Sequence, residues 1–78
     1  MKNTIYVTAI RHPRCGILLN AEKNLEGAVI ALEKQYYLIS DEPDFEQAVQ
    51  WLERIKKNHK TDWFVGTVWD IKIEEFEF

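Results

Sequence analysis

Seventy-eight residues, 46% of them apolar and 29% charged, make one folded domain and leave no room for a second core. A single cysteine excludes an internal disulfide, and no apolar run approaches the ~18 residues of a membrane-spanning segment. The net charge of −3 is unevenly spread: residues 1–40 hold five bases against three acids, residues 41–78 five bases against ten acids.

No basic start leads into an apolar run, so a cytoplasmic protein is expected. A chain this short hides only about 60–65% of the surface it exposes when unfolded. Its stability must then come from rings: three Trp, three Tyr and four Phe, each removing ~150–250 Å² from water when buried.

"NTIYVTAIR" alternates, with Ile5, Val7 and Ala9 on one side and Tyr6, Thr8 and Ile10 on the other, and predicts a strand over about residues 3–11. "HPRCG" breaks it: Pro13 cannot donate to a ladder, and Gly16 can take a positive φ. "ILL" suggests a short returning strand. "NAEKNLEGAVIALEKQYY" spaces Leu25, Ala28, Val29, Leu32 and Tyr36 as a helix, with Asn20 or Asn24 as cap. A rival reading pairs "GAVIAL" with "QYYLIS" as a hairpin; the helix is preferred because "LEKQ" holds no tight-turn residue. "YYLIS" is expected to extend as a short strand.

"SDEPDFEQAVQWLERIKKN" predicts a second helix. Ser40 and Asp41 offer capping oxygens, Pro43 suits the first turn, and Phe45, Ala48, Val49, Leu52 and Ile55 share a face. Arg54, Lys56 and Lys57 sit toward the negative end of the helix dipole. "DWFVGTVWDIKI" is expected to be one long strand, with Trp63, Val65, Thr67, Trp69, Ile71 and Ile73 on one apolar face. The whole predicts an α+β fold: a small, mainly antiparallel sheet of two to four strands packed against two helices.

Three constellations carry chemistry. In "RHPRCG" the thiol of Cys15 stands near Arg11, His12 and Arg14, a setting that lowers a thiol pKa. A cysteine nucleophile also needs a base and an orienting group, and no third member is identifiable, so no enzyme is expected. His12, Cys15 and His59 lack the paired spacing of a zinc site, so neither metal nor cofactor is expected. Arg11 and Arg14, with Lys2, Lys23 and "RIKKNHK", give a nucleic-acid alternative, weakened by the acidic total and the absence of a binding signature.

The C-terminus is the more informative end. Past Ile73 the pattern swaps: Glu75 and Glu77 take the face that held Trp69 and Ile71, while Phe76 and Phe78 fall on the other. Asp70, Glu74, Glu75 and Glu77 crowd these rings, and Asp41, Glu42, Asp44 and Glu46 form a second acidic cluster on the first turn of the second helix. Acids steer toward a basic partner and rings fill pockets on it. The expectation is a non-enzymatic protein-binding module, of the inhibitor type found in phages and mobile elements, that blocks a basic or nucleic-acid-handling surface. A structural subunit of a homo-oligomer is the remaining alternative.

Overall fold

The alternation at the N-terminus does produce a strand, β1 (Thr4–His12), and Gly16, at φ 76°, turns the chain back into β2 (Gly16–Glu22). The computed structural model describes residues 3–78. Helix α1 (Leu25–Lys34) follows, then a short 3-10 turn at Tyr36–Leu38, helix α2 (Phe45–Asn58), strand β3 (Trp63–Val65) and strand β4 (Asp70–Glu77). The four strands form one antiparallel sheet in the order β2-β1-β4-β3. The chain is thus a small α+β domain: two hairpins side by side, joined through a helical segment.

Register places Ile10 between Leu18 and Ile71, and Thr8 between Asn20 and Ile73. Ile10, Ile71 and Ile73 meet Ala28, Val29 and Leu32 of α1 and Ala48, Trp51, Leu52 and Ile55 of α2 in a single buried cluster. Both helices therefore lie on the same side of the sheet. Each of the buried Val, Leu and Ile side chains contributes about 1.5–3 kcal/mol by leaving water. Phe64 bridges the aromatic part of the core, with its ring centroid 6.1 Å from Trp51 and 5.6 Å from Trp69.

Four local expectations are corrected. The segment 62–73 is two strands, because the chain reverses at Gly66–Trp69, where the Gly66 N–H donates to the Trp69 carbonyl at 2.8 Å. The reversal moves the inward register by one: Phe64 pairs with Ile71 and faces the helices, so Trp63 and Val65 point away from them. Second, β2 runs on through Asn20–Glu22, residues assigned above to the helix; Asn24 is the true cap, its Oδ1 accepting from the Gly27 N–H at 2.7 Å. Third, "YYLIS" coils into the 3-10 turn, where Tyr36 meets Phe45 edge-to-face at 5.2 Å and Ile39 enters the core. Fourth, α2 starts at Phe45 rather than near Ser40, and its preceding Asp44 takes a left-handed φ of 71° with its side chain engaged elsewhere.

No helix among the described residues is long and apolar enough to cross a membrane.

Candidate functional site

The basic turn and the acidic clusters, far apart in sequence, meet in space. His12 ends β1 with its ring buried; Nε2 lies 2.9 Å from Glu42 Oε1, and Nδ1 accepts the Arg14 N–H at 3.1 Å. With Nδ1 accepting, the ring proton sits on Nε2 and is donated to Glu42. The Arg14 guanidinium pairs with the same carboxylate. Glu42 is held below the usual carboxylate range, first by the His12 hydrogen bond and then by Arg14. Both imidazole nitrogens are thereby engaged, and the exposed Cys15 thiol sits at the tip of the turn beyond them.

Arg11 is neutralised in the same manner. Its guanidinium lies 2.5 Å from Asp70 Oδ2, across the paired strands β1 and β4, and Asp70 is buried. The two arginines of the nucleic-acid alternative thus face two of the candidate acids. Lys2, part of the same basic set, lies outside the described residues.

Asp44 holds a loop. Its Oδ2 accepts from both the Thr67 N–H and the Thr67 Oγ1–H at 2.7 Å, and these bonds keep its carboxyl below the ordinary range. Trp69, the last residue of that loop, donates its indole N–H to the Pro43 carbonyl at 3.0 Å. Residues 43–44 and 67–69 are therefore clamped together, which fixes the β3–β4 reversal against the start of α2. Asp41 is exposed beside this clamp.

The C-terminal candidates lie at the opposite end of the sheet. Strand β4 keeps its register through Glu77, and Phe78 still pairs with Asn3, by bonds of 2.9 and 2.8 Å in the two directions. β2 joins β1 only from Tyr6 onward, and β3 joins β4 only as far as Lys72. Residues 3–5 and 76–78 thus run on as a two-stranded ribbon, with no third strand among the described residues on either side. Its two faces differ: Ile5, Phe76 and Phe78 project on the side away from the helices, and Glu75 and Glu77 on the other. Phe76 is 46% and Phe78 74% exposed, so neither ring is packed beneath a helix. Glu74, on the ring side, pairs with Lys72 at 3.0 Å. The molecule measures 42 × 26 × 18 Å.

Among the described residues no three His, Cys, Asp or Glu side chains are gathered as metal ligands. Sequence reasoning passed over Ile17 and Leu19 and placed Trp63 and Val65 on the apolar face with Trp69 and Ile71; all four lie on the sheet face away from the helices, with exposures of 64, 68, 55 and 61%. The signal was present but ambiguous: "GILLNA" and "DWFV" are apolar on both alternating faces, and alternation cannot say which face is covered.

Compared with protein-family models, with curated proteins and with solved structures, the chain matches none. What fold and site define together is a class: a small α+β domain with a half-covered sheet and a projecting acidic and aromatic ribbon.

Proposed function

We propose that this chain is a non-enzymatic protein-binding module that docks through the β1–β4 ribbon onto a basic, partly apolar surface of another protein. The observation that carries the reading is the ribbon itself, which leaves Phe76 and Phe78 in water although the core recruits every tryptophan but Trp63. An exposed ring costs free energy in water and returns it on entering a pocket. The neighbouring Glu75 and Glu77 add acidic groups that steer toward basic surfaces and deter acidic ones, while Glu74 is balanced by Lys72. Such a module in the cytoplasm serves as an inhibitor that covers the nucleic-acid-handling surface of its target. Of the remaining candidates, Asp70, Glu42 and Asp44 act from within, bracing the sheet and loops that present the ribbon.

The test is affinity capture from a cell lysate with the full chain and with a chain carrying Phe76→Ser and Phe78→Ser, both shown to be folded by circular dichroism. The expected result is a basic protein retained by the first and lost by the second, with retention falling as salt rises. A partner held equally by both chains, or no partner at all, overturns the reading.

A further inference from the structure

On the side away from the helices, which the ribbon's Phe76 and Phe78 share, the four-stranded part of the sheet exposes apolar residues on both outer strands. Following the pairing from β2 to β3, one row across this face reads Ile17, Arg11, Asp70, Val65, and the next reads Leu19, Ala9, Lys72, Trp63. Ala21, Val7 and Glu74 make a third row. The outer strands are apolar and the inner pair carries the charge. Antiparallel sheets covered on one side usually present polar residues on the other; here two exposed apolar strips flank a charged centre.

We propose that a second copy of this chain closes that face, sheet on sheet, about a two-fold axis running along the strands between β1 and β4. Such a rotation lays β1 over the second copy's β4 and β2 over its β3. Ile17 then meets Val65 of the second copy, Leu19 meets its Trp63, and Arg11 meets its Asp70, each contact occurring twice by symmetry. Apolar residues fall on apolar residues and base falls on acid in one arrangement, which is the self-complementarity an isologous interface requires.

The charge distribution favours a like copy over other occupants. The chain carries a net charge of −3, yet this face balances Arg11 and Lys72 against Asp70 and Glu74. Two copies meet here without net repulsion, while a strongly basic or acidic partner finds no opposing field. Strands of 9, 7, 8 and 3 residues, ~4.8 Å apart and ~3.3 Å per residue, offer about 450 Å² per copy with the ribbon included, or about 900 Å² for the pair. That lies just under the ~1,000 Å² expected of a specific interface and marks a weak, reversible one. Aligned sheets packing about 10 Å apart are a standard way to finish a one-sided sheet. Ile17, Leu19, Trp63 and Val65 are not part of the ribbon, but the same rotation brings Ile5 of one copy over Phe76 of the other, so self-association and ribbon docking compete for the ribbon's rings.

Sedimentation of the full chain in reducing buffer tests it. The expected mass is twice 9.3 kDa at micromolar concentration. Leu19→Asp, an exposed position on an edge strand, is expected to weaken association at least ~10-fold, a change of ~1.4 kcal/mol, with the circular dichroism spectrum unchanged. A second measurement fixes the orientation and decides the matter should that variant unfold. Chains with Leu19→Cys and with Trp63→Cys, both also Cys15→Ser, are treated with a short bismaleimide. The mixture is expected to give a cross-linked dimer, and either chain alone is not. A monomer, a dimer indifferent to Leu19→Asp, or cross-linking equally efficient without mixing overturns the proposal. Capture of a basic protein through Phe76 and Phe78 survives any of these outcomes, so the two readings fail separately.

Discussion

The two faces of this sheet are built from the same kinds of residue and have opposite fates. Toward the helices, Thr8, Ile10, Ile71 and Ile73 are almost wholly out of water; away from them, Ile17, Leu19, Trp63 and Val65 keep more than half their surface in it. The difference arises from numbers of elements and not from hydrophobicity. Two helices cover one face of the four strands, and the described residues form no third layer. Ile17, Leu19, Trp63 and Val65 on the uncovered side are the residues that the proposed second copy would take out of water.

The comparison breaks most directly by truncation on each face. Ile71→Ala removes a buried branch from the middle of the core and is expected to cost about 2–5 kcal/mol in urea or thermal unfolding. Ile17→Ala, on the bare face, is expected to fall within about 0.5 kcal/mol when the protein is dilute enough to be monomeric. Equal costs at the two sites would mean that the outer face is covered within the monomer. A cost at Ile17 that grows with protein concentration would place the cover in a second copy.

The next effect concerns the reversal that puts Phe64 inside and Trp63 outside. A Cβ added to Gly66 would stand 2.8 Å from the Trp69 carbonyl oxygen, closer than real Cβ contacts come, and the neighbour is backbone. Gly66→Ala is therefore expected to destabilise by about 1–3 kcal/mol, and loosening of Trp69 should show as a red shift and quenching of its fluorescence. An unchanged spectrum and stability would show that the β3–β4 hairpin does not rely on this close approach.

Much of this division was legible in the sequence, and its gaps have physical causes. β1, both helices and the antiparallel α+β class follow from alternation, helical spacing and turn residues. The split of 62–73 was hidden because period-two patterning runs straight through "WFVGTVW": a four-residue reversal that also shifts the register by one leaves apolar residues at odd positions on both sides of it. β2 was read short because its half-buried side turns polar at Asn20 and Glu22, so the alternation in burial is not visible as an alternation in hydrophobicity. At the site, the acid–aromatic C-terminus was visible as composition. The pairings of Arg11 with Asp70 and of Arg14 with Glu42 were not, since each joins residues from separate elements and depends on strand order.

Those pairings give the comparison a pH dependence. Glu42 and Asp44 are both held below their ordinary range in the folded chain. Their contribution is fully present above the unfolded carboxylate value of ~4 and is lost as pH falls through their lowered values. Melting temperature is therefore expected to hold from neutral pH to about 5 and to drop below ~4. Asp44→Asn should shallow that drop while lowering stability at pH 7, where the carboxylate otherwise accepts two hydrogen bonds from Thr67. A steep acid limb unchanged in the variant would assign it to other carboxylates.

The smallest effect sharpens the comparison at the turn that starts β2 and so sets which of its residues face outward. Gly16 has φ 76°, and a Cβ placed there meets nothing within 4 Å. Gly16→Ala therefore costs only backbone strain, about 1–2 kcal/mol for the left-handed region, partly offset by the ~0.4–1 kcal/mol that a less flexible unfolded chain returns. A net loss of about 1 kcal/mol or less is expected, with no shift in register, because seven paired positions from Tyr6–Glu22 to His12–Gly16 hold β2 in place. A register slip would exchange Ile17 and Leu19 with Leu18, turning the bare face toward the helices. Solvent accessibility of a thiol at Leu19→Cys, compared with and without Gly16→Ala, distinguishes strain from slippage: an unchanged labelling rate means that the turn only strains, and a lowered one that the face itself depends on this glycine.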